Sequence, residues 1–186
     1  DPIPTHTTYV SDSVAIVPLN FVPGKAWFIP ERAEKNDSLT CWITDSTIYE
    51  QDTLRLTLEY FRKDSLGELY WYADTLEMSE SLKETQKRDK DTTGIESLDL
   101  KANISGKFHL HHDIVIETSR PVATVNKANI SLFYVEDSVE QAVDFKILKD
   151  TSHLRTYRIK HKWNEVSDYK LVIDKGSFTD VYGFTN

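Results

Sequence analysis

A chain of 186 residues, 39% hydrophobic and 28% charged with a formal net charge of −8, has apolar content for one ordinary core or two small ones. The acidic balance argues against nucleic-acid and anionic-membrane partners, because phosphate binding needs clustered Lys and Arg. No apolar run approaches the ~20 residues of a membrane helix, and a lone cysteine, Cys41, rules out an intrachain disulfide.

The chain opens Asp1-Pro2-Ile3-Pro4 with no methionine and no visible signal peptide, as expected of a piece excised from a longer precursor. After a Thr-rich approach, Val14, Ile16 and Val17 predict a short strand. Pro23-Gly24 predicts a turn, residues 25–29 a second strand carrying Trp27 and Phe28, and the polar residues 30–38 a loop. Leu39, Cys41 and Ile43 then share a face at period two. That makes Cys41 a buried small hydrophobe, and no basic neighbour is there to stabilise a thiolate. Leu54, Leu56, Leu58 and Tyr60 alternate with Thr53, Arg55, Thr57 and Glu59, and aromatic-rich residues 69–78 return after a turn at Gly67. Residues 52–78 therefore predict a β-hairpin.

Residues 79–97 are almost wholly polar, with Leu82 and Ile95 as the large apolar exceptions. Ser81 and Glu84 have capping-box spacing and Glu84 lies four residues before Arg88, so a solvated helix is allowed. With no face to bury, this stretch is expected to be a linker between a β-sandwich at 1–78 and a second at 98–186. In the second, Leu98, Leu100, Ala102 and Ile104 alternate, and Phe108 and Leu110 extend that face past Gly106. Ile114 and Ile116 centre a strand ended by Arg120-Pro121, and further strands are expected at 130–135, 143–148 and 154–163. The last presents Tyr157, Ile159 and Trp163 on one face and Arg158, Lys160 and Lys162 on the other. Tyr169, Leu171 and Ile173 then alternate, Gly176 allows a turn, and Phe178 and Val181 return to the interior. About seven short strands in roughly 90 residues predict an immunoglobulin-like sandwich, and the whole chain reads as all-β.

These residues carry a resemblance. Ile114-Val115-Ile116-Glu117-Thr118-Ser119-Arg120-Pro121-Val122 resembles the Pro-Val-ended strand of bacterial Ig-like domains of the surface-layer type. Tyr169-Lys170-Leu171-Val172-Ile173-Asp174, followed by Phe178-Thr179-Asp180-Val181-Tyr182-Gly183, resembles that family's final strand and its Asp-x-x-Gly ending. The chain departs from the pattern with Thr-Ser-Arg where an apolar-acidic pair often precedes the proline. The resemblance covers residues 98–186 and implies two tandem Ig-like β-sandwich domains in an envelope protein of Bacteroidetes-type bacteria. It brings no catalytic residues with it.

Candidate chemistry is sparse. His109 and His111 would share a face of a strand in His109-Leu110-His111-His112, a start on a zinc or nickel site that lacks a third ligand. Asp174 and Asp180 flank a turn that would admit calcium. Aspartates recur before Ser or Thr, at Asp12, Asp37, Asp45, Asp52, Asp64, Asp74, Asp91 and Asp137. Strand-entrance turn chemistry explains the recurrence, and so does an O-glycosylation sequon with acceptors at Thr92, Ser65 and Ser46. Tyr70, Trp71 and Tyr72 form the candidate ligand-binding group, with Trp71 on the face opposite the two tyrosines. Arg158, Lys160 and Lys162 form a basic strip, either solvated or set against an acidic neighbour.

The function expected is non-enzymatic: a structural spacer or assembly module of a cell-envelope protein, outside the cytoplasm and lipid-anchored through a segment upstream. The alternatives are a carbohydrate- or ligand-binding module using exposed aromatics, and an accessory fragment of a hydrolase. No cofactor or metal is implied. The expected partners are an envelope protein or a glycan, with no nucleic acid, no membrane insertion by this segment, and a monomeric state.

Overall fold

The computed structural model describes residues 8–11, 14–33, 38–79, 97–104, 109, 111–165 and 167–186. The expected helix of the 79–97 stretch, Thr92, and the strand extension through Phe108 and Leu110 lie outside them, as do Asp12, Asp37 and Asp91. The chain is all-β, in several antiparallel sheets, and divides into two compact units, residues 1–91 and 92–186.

The first unit contains β1 (Thr8–Ser11), β2 (Val14–Pro18), β3 (Phe28–Arg32), β4 (Leu39–Ile43), β5 (Thr53–Lys63) and β6 (Leu69–Ser79). Four of these form a sheet in the order β1-β2-β5-β6, while β3 and β4 pair separately. The β5–β6 hairpin is the longest feature, in unbroken register from Thr53 opposite Ser79 to Lys63 opposite Leu69. Its loop is fixed by Asp64, whose carboxylate accepts from the Leu66 and Glu68 N–H groups at 2.8 and 2.9 Å. Gly67 beside it takes φ +85°, a conformation that side-chain-bearing residues rarely adopt. A single helical turn, α1 (Ser46–Tyr49), is capped by the Asp45 carboxylate, which accepts from the Thr47 N–H at 3.0 Å. That turn delivers Ile48 to a core of Ile16, Phe21, Trp27, Phe28, Leu54 and Leu56.

Two expectations are corrected here. Residues 25 and 26 form a turn, and β3 runs on through Pro30, Glu31 and Arg32, which the sequence assigns to a loop. Pro30 is tolerated because the Ala33 N–H to Ser38 carbonyl bond makes odd-numbered residues of β3 the hydrogen-bonded ones. The missing N–H of Pro30 thus points away from β4. Asp74 also does not sit at a strand entrance; it lies in the middle of β6.

The second unit contains β7 (Leu100–Ala102), β8 (Ile114–Thr118), β9 (Val122–Val125), β10 (Ile130–Glu136), β11 (Val139–Ala142), β12 (Lys146–Lys149), β13 (Thr156–Lys160), β14 (Asp168–Ile173) and β15 (Phe178–Asp180). They form sheets in the orders β12-β13-β8-β7, β11-β10-β14 and β15-β9. All three sheets contribute to one core of Leu98, Ile114, Ile116, Val122, Ile130, Tyr157, Ile159 and Phe178. The sequence reading misses β9 and β11 and places a strand at 143–148 where β12 occupies 146–149. It also runs β13 three residues too far, and the expected face of Leu98 and Leu100 fades into exposed Ala102 and Ile104. Asp137 and Ser138, at φ 47° and 65°, make the turn between β10 and β11. That is the two-residue hairpin geometry usually signalled by glycine.

Candidate functional site: an apolar cleft beside a free strand edge

Period two sets the inner face of the first unit's large sheet. Leu54, Leu56, Leu58 and Tyr60 of β5 lie opposite Met78, Leu76, Asp74 and Tyr72 of β6. Burial runs out along this face. Leu54 and Leu56 are buried and Leu58 and Tyr60 half-buried, while Leu76 and Met78 remain 41% and 44% exposed. Across from them, Ile43, Cys41 and Leu39 of β4 are also only half-buried. The cause is a mismatch of layers. Four strands span about 14 Å between outer strand axes and two span about 5 Å, so β3–β4 covers part of the face only. The uncovered part is a cleft of about 690 Å³ floored by Ile16, Trp27, Cys41, Leu56, Leu76 and Met78, with Arg32, Tyr60 and Asp74 also lining it. That volume falls within the range of small-ligand pockets.

Chemistry in the cleft is restrained. The Tyr60 hydroxyl donates to Asp74 at 2.8 Å, and this bond, more than burial, pushes the phenol pKa up. Burial likewise pushes the Cys41 thiol up, so Cys41 lines the cleft as a neutral group.

Among the described residues, β6 is the outer strand of the sheet and nothing pairs with its outer side. Arg55 of β5 donates its N–H to the Asn20 carboxamide oxygen at 2.8 Å and accepts from the Leu19 N–H at 2.9 Å. Odd-numbered residues of β5 thus direct their backbone groups toward the β2 side, and even-numbered ones toward β6. On β6 the even residues complete that ladder, which leaves Trp71, Ala73, Thr75 and Glu77 with N–H and C=O aimed away from β5.

Tyr70, Trp71 and Tyr72 lie on β6 but do not form one platform. Tyr70 and Tyr72 meet edge-on at 6.4 Å, and Tyr72 meets Tyr60 at 5.7 Å. Trp71 stacks on Phe61 at 4.3 Å on the opposite face, and both are exposed. The histidines do not share a strand face: the His112 N–H donates to the His109 carbonyl, and His111 lies in a turn. Among the described residues no group of three metal-binding side chains exists.

Asp180 is not a calcium ligand. It is 1% exposed, accepts from the Tyr182 and Phe184 N–H groups at 2.9 Å, and pairs with the Arg120 guanidinium. Of the basic strip, Arg158 binds Asp150 at 2.9 Å and Lys160 lies 3.6 Å from Asp113, both within the second unit, while Lys162 is exposed beyond the end of β13. Ser46 and Ser65 are exposed, the first opening α1 and the second in the β5–β6 loop.

The sequence marks Leu39 as part of a strand face but gives no sign that Leu39, Leu76 and Met78 meet in one cleft. The available signal was a surplus: the apolar alternation of β5 and β6 continues for longer than β3 and β4 can cover. No protein-family model matches the chain, and no curated protein or solved structure does either.

Proposed function

We propose that this chain is a non-enzymatic assembly module of a bacterial cell-envelope protein, built as two Ig-like β-sandwiches and working outside the cytoplasm. The first unit docks a protein partner and the second serves as a support. The observation that carries this reading is an apolar cleft beside a strand edge in one unit, neither of them covered by another described residue. Both features are satisfied by another polypeptide. Assembly is favoured over catalysis because the cleft's carboxylate, Asp74, is held by a phenol instead of facing a second acid or base. The resemblance of residues 98–186 to surface-layer-type Ig-like domains supports the envelope placement.

The test is in-cell cross-linking of the full-length protein in its producing organism. Discrete protein adducts are expected. Turnover of an envelope polymer by the purified protein, or the lack of any protein adduct, would overturn the reading.

A second reading rests on the exposed Trp71–Phe61 stack, a surface suited to a sugar ring. Glycan-array binding that disappears in Trp71→Ala would establish it. Exposed Ser46 and Ser65, with Thr92, are the proposed O-glycan acceptors, and a host-purified protein at bare chain mass would refute that.

A further inference from the structure

Building on the assembly reading, we infer that the partner supplies one extended strand of alternating apolar and basic residues. It adds to β6 as a fifth strand of the sheet and lays its apolar side chains into the cleft. Three observations lead to this occupant.

The first is backbone demand. Trp71, Ala73, Thr75 and Glu77 direct N–H and C=O groups to the open edge. An added strand satisfies these, and a lipid or a helix face does not. The second is that the edge is weakly defended. Exposed edges are normally blunted by charged side chains, lysine above all, by proline or by a bulge, and here the charges are Asp74, bonded to Tyr60, and Glu77, paired with Arg55. Over residues 69–79 there is no lysine and no proline, and the ladder to β5 carries no register shift. Instead, Leu69, Tyr70, Trp71, Leu76 and Met78 stand 41% to 62% exposed along it.

The third is charge. Residues 1–91 hold 10 Lys and Arg against 17 Asp and Glu, a net −7, whereas residues 92–186 hold 12 against 13, a net −1. The unit with the free edge therefore carries nearly all of the chain's negative charge, and it selects a basic strand. The same net charge disfavours an anionic amphiphile on this unit, although the cleft lining itself holds one charge of each sign, Arg32 and Asp74. It also disfavours a second copy: antiparallel pairing of β6 with itself along its whole length sets Asp74 opposite Asp74.

The probe is an 11-residue peptide alternating Lys and Val, titrated into the 186-residue chain at 0.15 M salt. Binding is followed by amide hydrogen exchange and by anisotropy of the labelled peptide. Saturable one-to-one binding is expected, with slowed exchange at Trp71, Ala73, Thr75 and Glu77. Thr75→Pro removes one outward donor without touching the β5 ladder and should weaken binding about fivefold, the loss expected for one hydrogen bond. Met78→Lys, on an exposed side chain, should weaken it through the cleft, and it decides the matter if Thr75→Pro does not fold.

Equal binding of a Lys–Ser peptide would overturn the inference, because charge alone would then suffice. No binding, β6 protection by dodecanoate instead of the peptide, or protection by concentration-dependent self-association would also overturn it. If cross-linking finds a protein partner while β6 stays unprotected, the assembly reading survives and the strand inference falls.

Discussion

The two units use the same local grammar and reach different ends. In the second, three sheets close on one core and Ile116, Ile159 and Phe178 are wholly buried. Its last residues are stitched in as well. The Leu98 N–H donates to the Thr185 carbonyl, and the Asn186 carboxamide oxygen accepts from the Phe178 N–H. In the first, four strands face two and the apolar face outruns its cover. Alternation thus decides which side chains seek an interior, whereas the number of strands on the other side decides whether they find one. The difference in charge, −7 against −1, follows the same division.

The comparison breaks most sharply at Asp180. Its carboxylate is buried, pairs with Arg120 and accepts two backbone N–H groups. Asp180→Ala should destabilise the second unit by about 3–5 kcal/mol, the cost of stranding a partly buried cation and unpaired donors. Asp180→Asn retains an acceptor for the N–H groups and should cost less. Hydrogen exchange in β8 and β13, compared with β5, measures the loss unit by unit. Equal acceleration in both units would mean that the second does not stand on its own core.

Matched truncations come next. Ile116→Ala removes a wholly buried side chain and should cost about 2–5 kcal/mol, whereas Leu76→Ala, on the open cleft, should cost under about 1 kcal/mol. Similar values at the two sites, from chemical denaturation, would mean that the cleft is closed in solution. Cys41 offers a direct check on the same point. A small alkylating reagent should reach it in the folded protein but react more slowly than in the unfolded chain at pH 8–9, because burial raises its pKa and holds back the thiolate. Complete protection would show a sealed cleft.

Much of this is legible in the sequence. The β5–β6 hairpin was readable because Leu54 to Tyr60 alternate without a break and Gly67 marks the turn. The sequence misplaces β3 because proline reads as a stop, and only the ladder fixed by the Ala33–Ser38 bond shows that the missing N–H faces outward. β11 escaped because Val-Glu-Gln-Ala is exposed throughout and has no apolar rhythm to detect. In the sequence Asp180 resembles a loop ligand because its partner, Arg120, is sixty residues away. The cleft was the least legible feature. It depends on how many described strands lie opposite β5 and β6, and that is set by topology and not by any local run of residues.

The smallest effect expected is at Asp150, and it refines the comparison by acting on one unit alone. Its pKa is lowered to about 2 from 3.8, first by the Ser152 N–H, then by Arg158 and His153. A carboxylate depressed on folding stabilises above its unfolded value and loses that contribution as pH falls from about 4 through about 2. Arg158 is 40% exposed, so solvent screens the pair and keeps the effect modest. Asp150→Asn has no such contribution to lose. Its stability should lie below that of the parent at pH 5 and approach it as pH falls through about 2, seen as exchange in β13 with no change in β5. A gap that stays constant across that range would show that packing around residue 150, and not its charge, sets the difference.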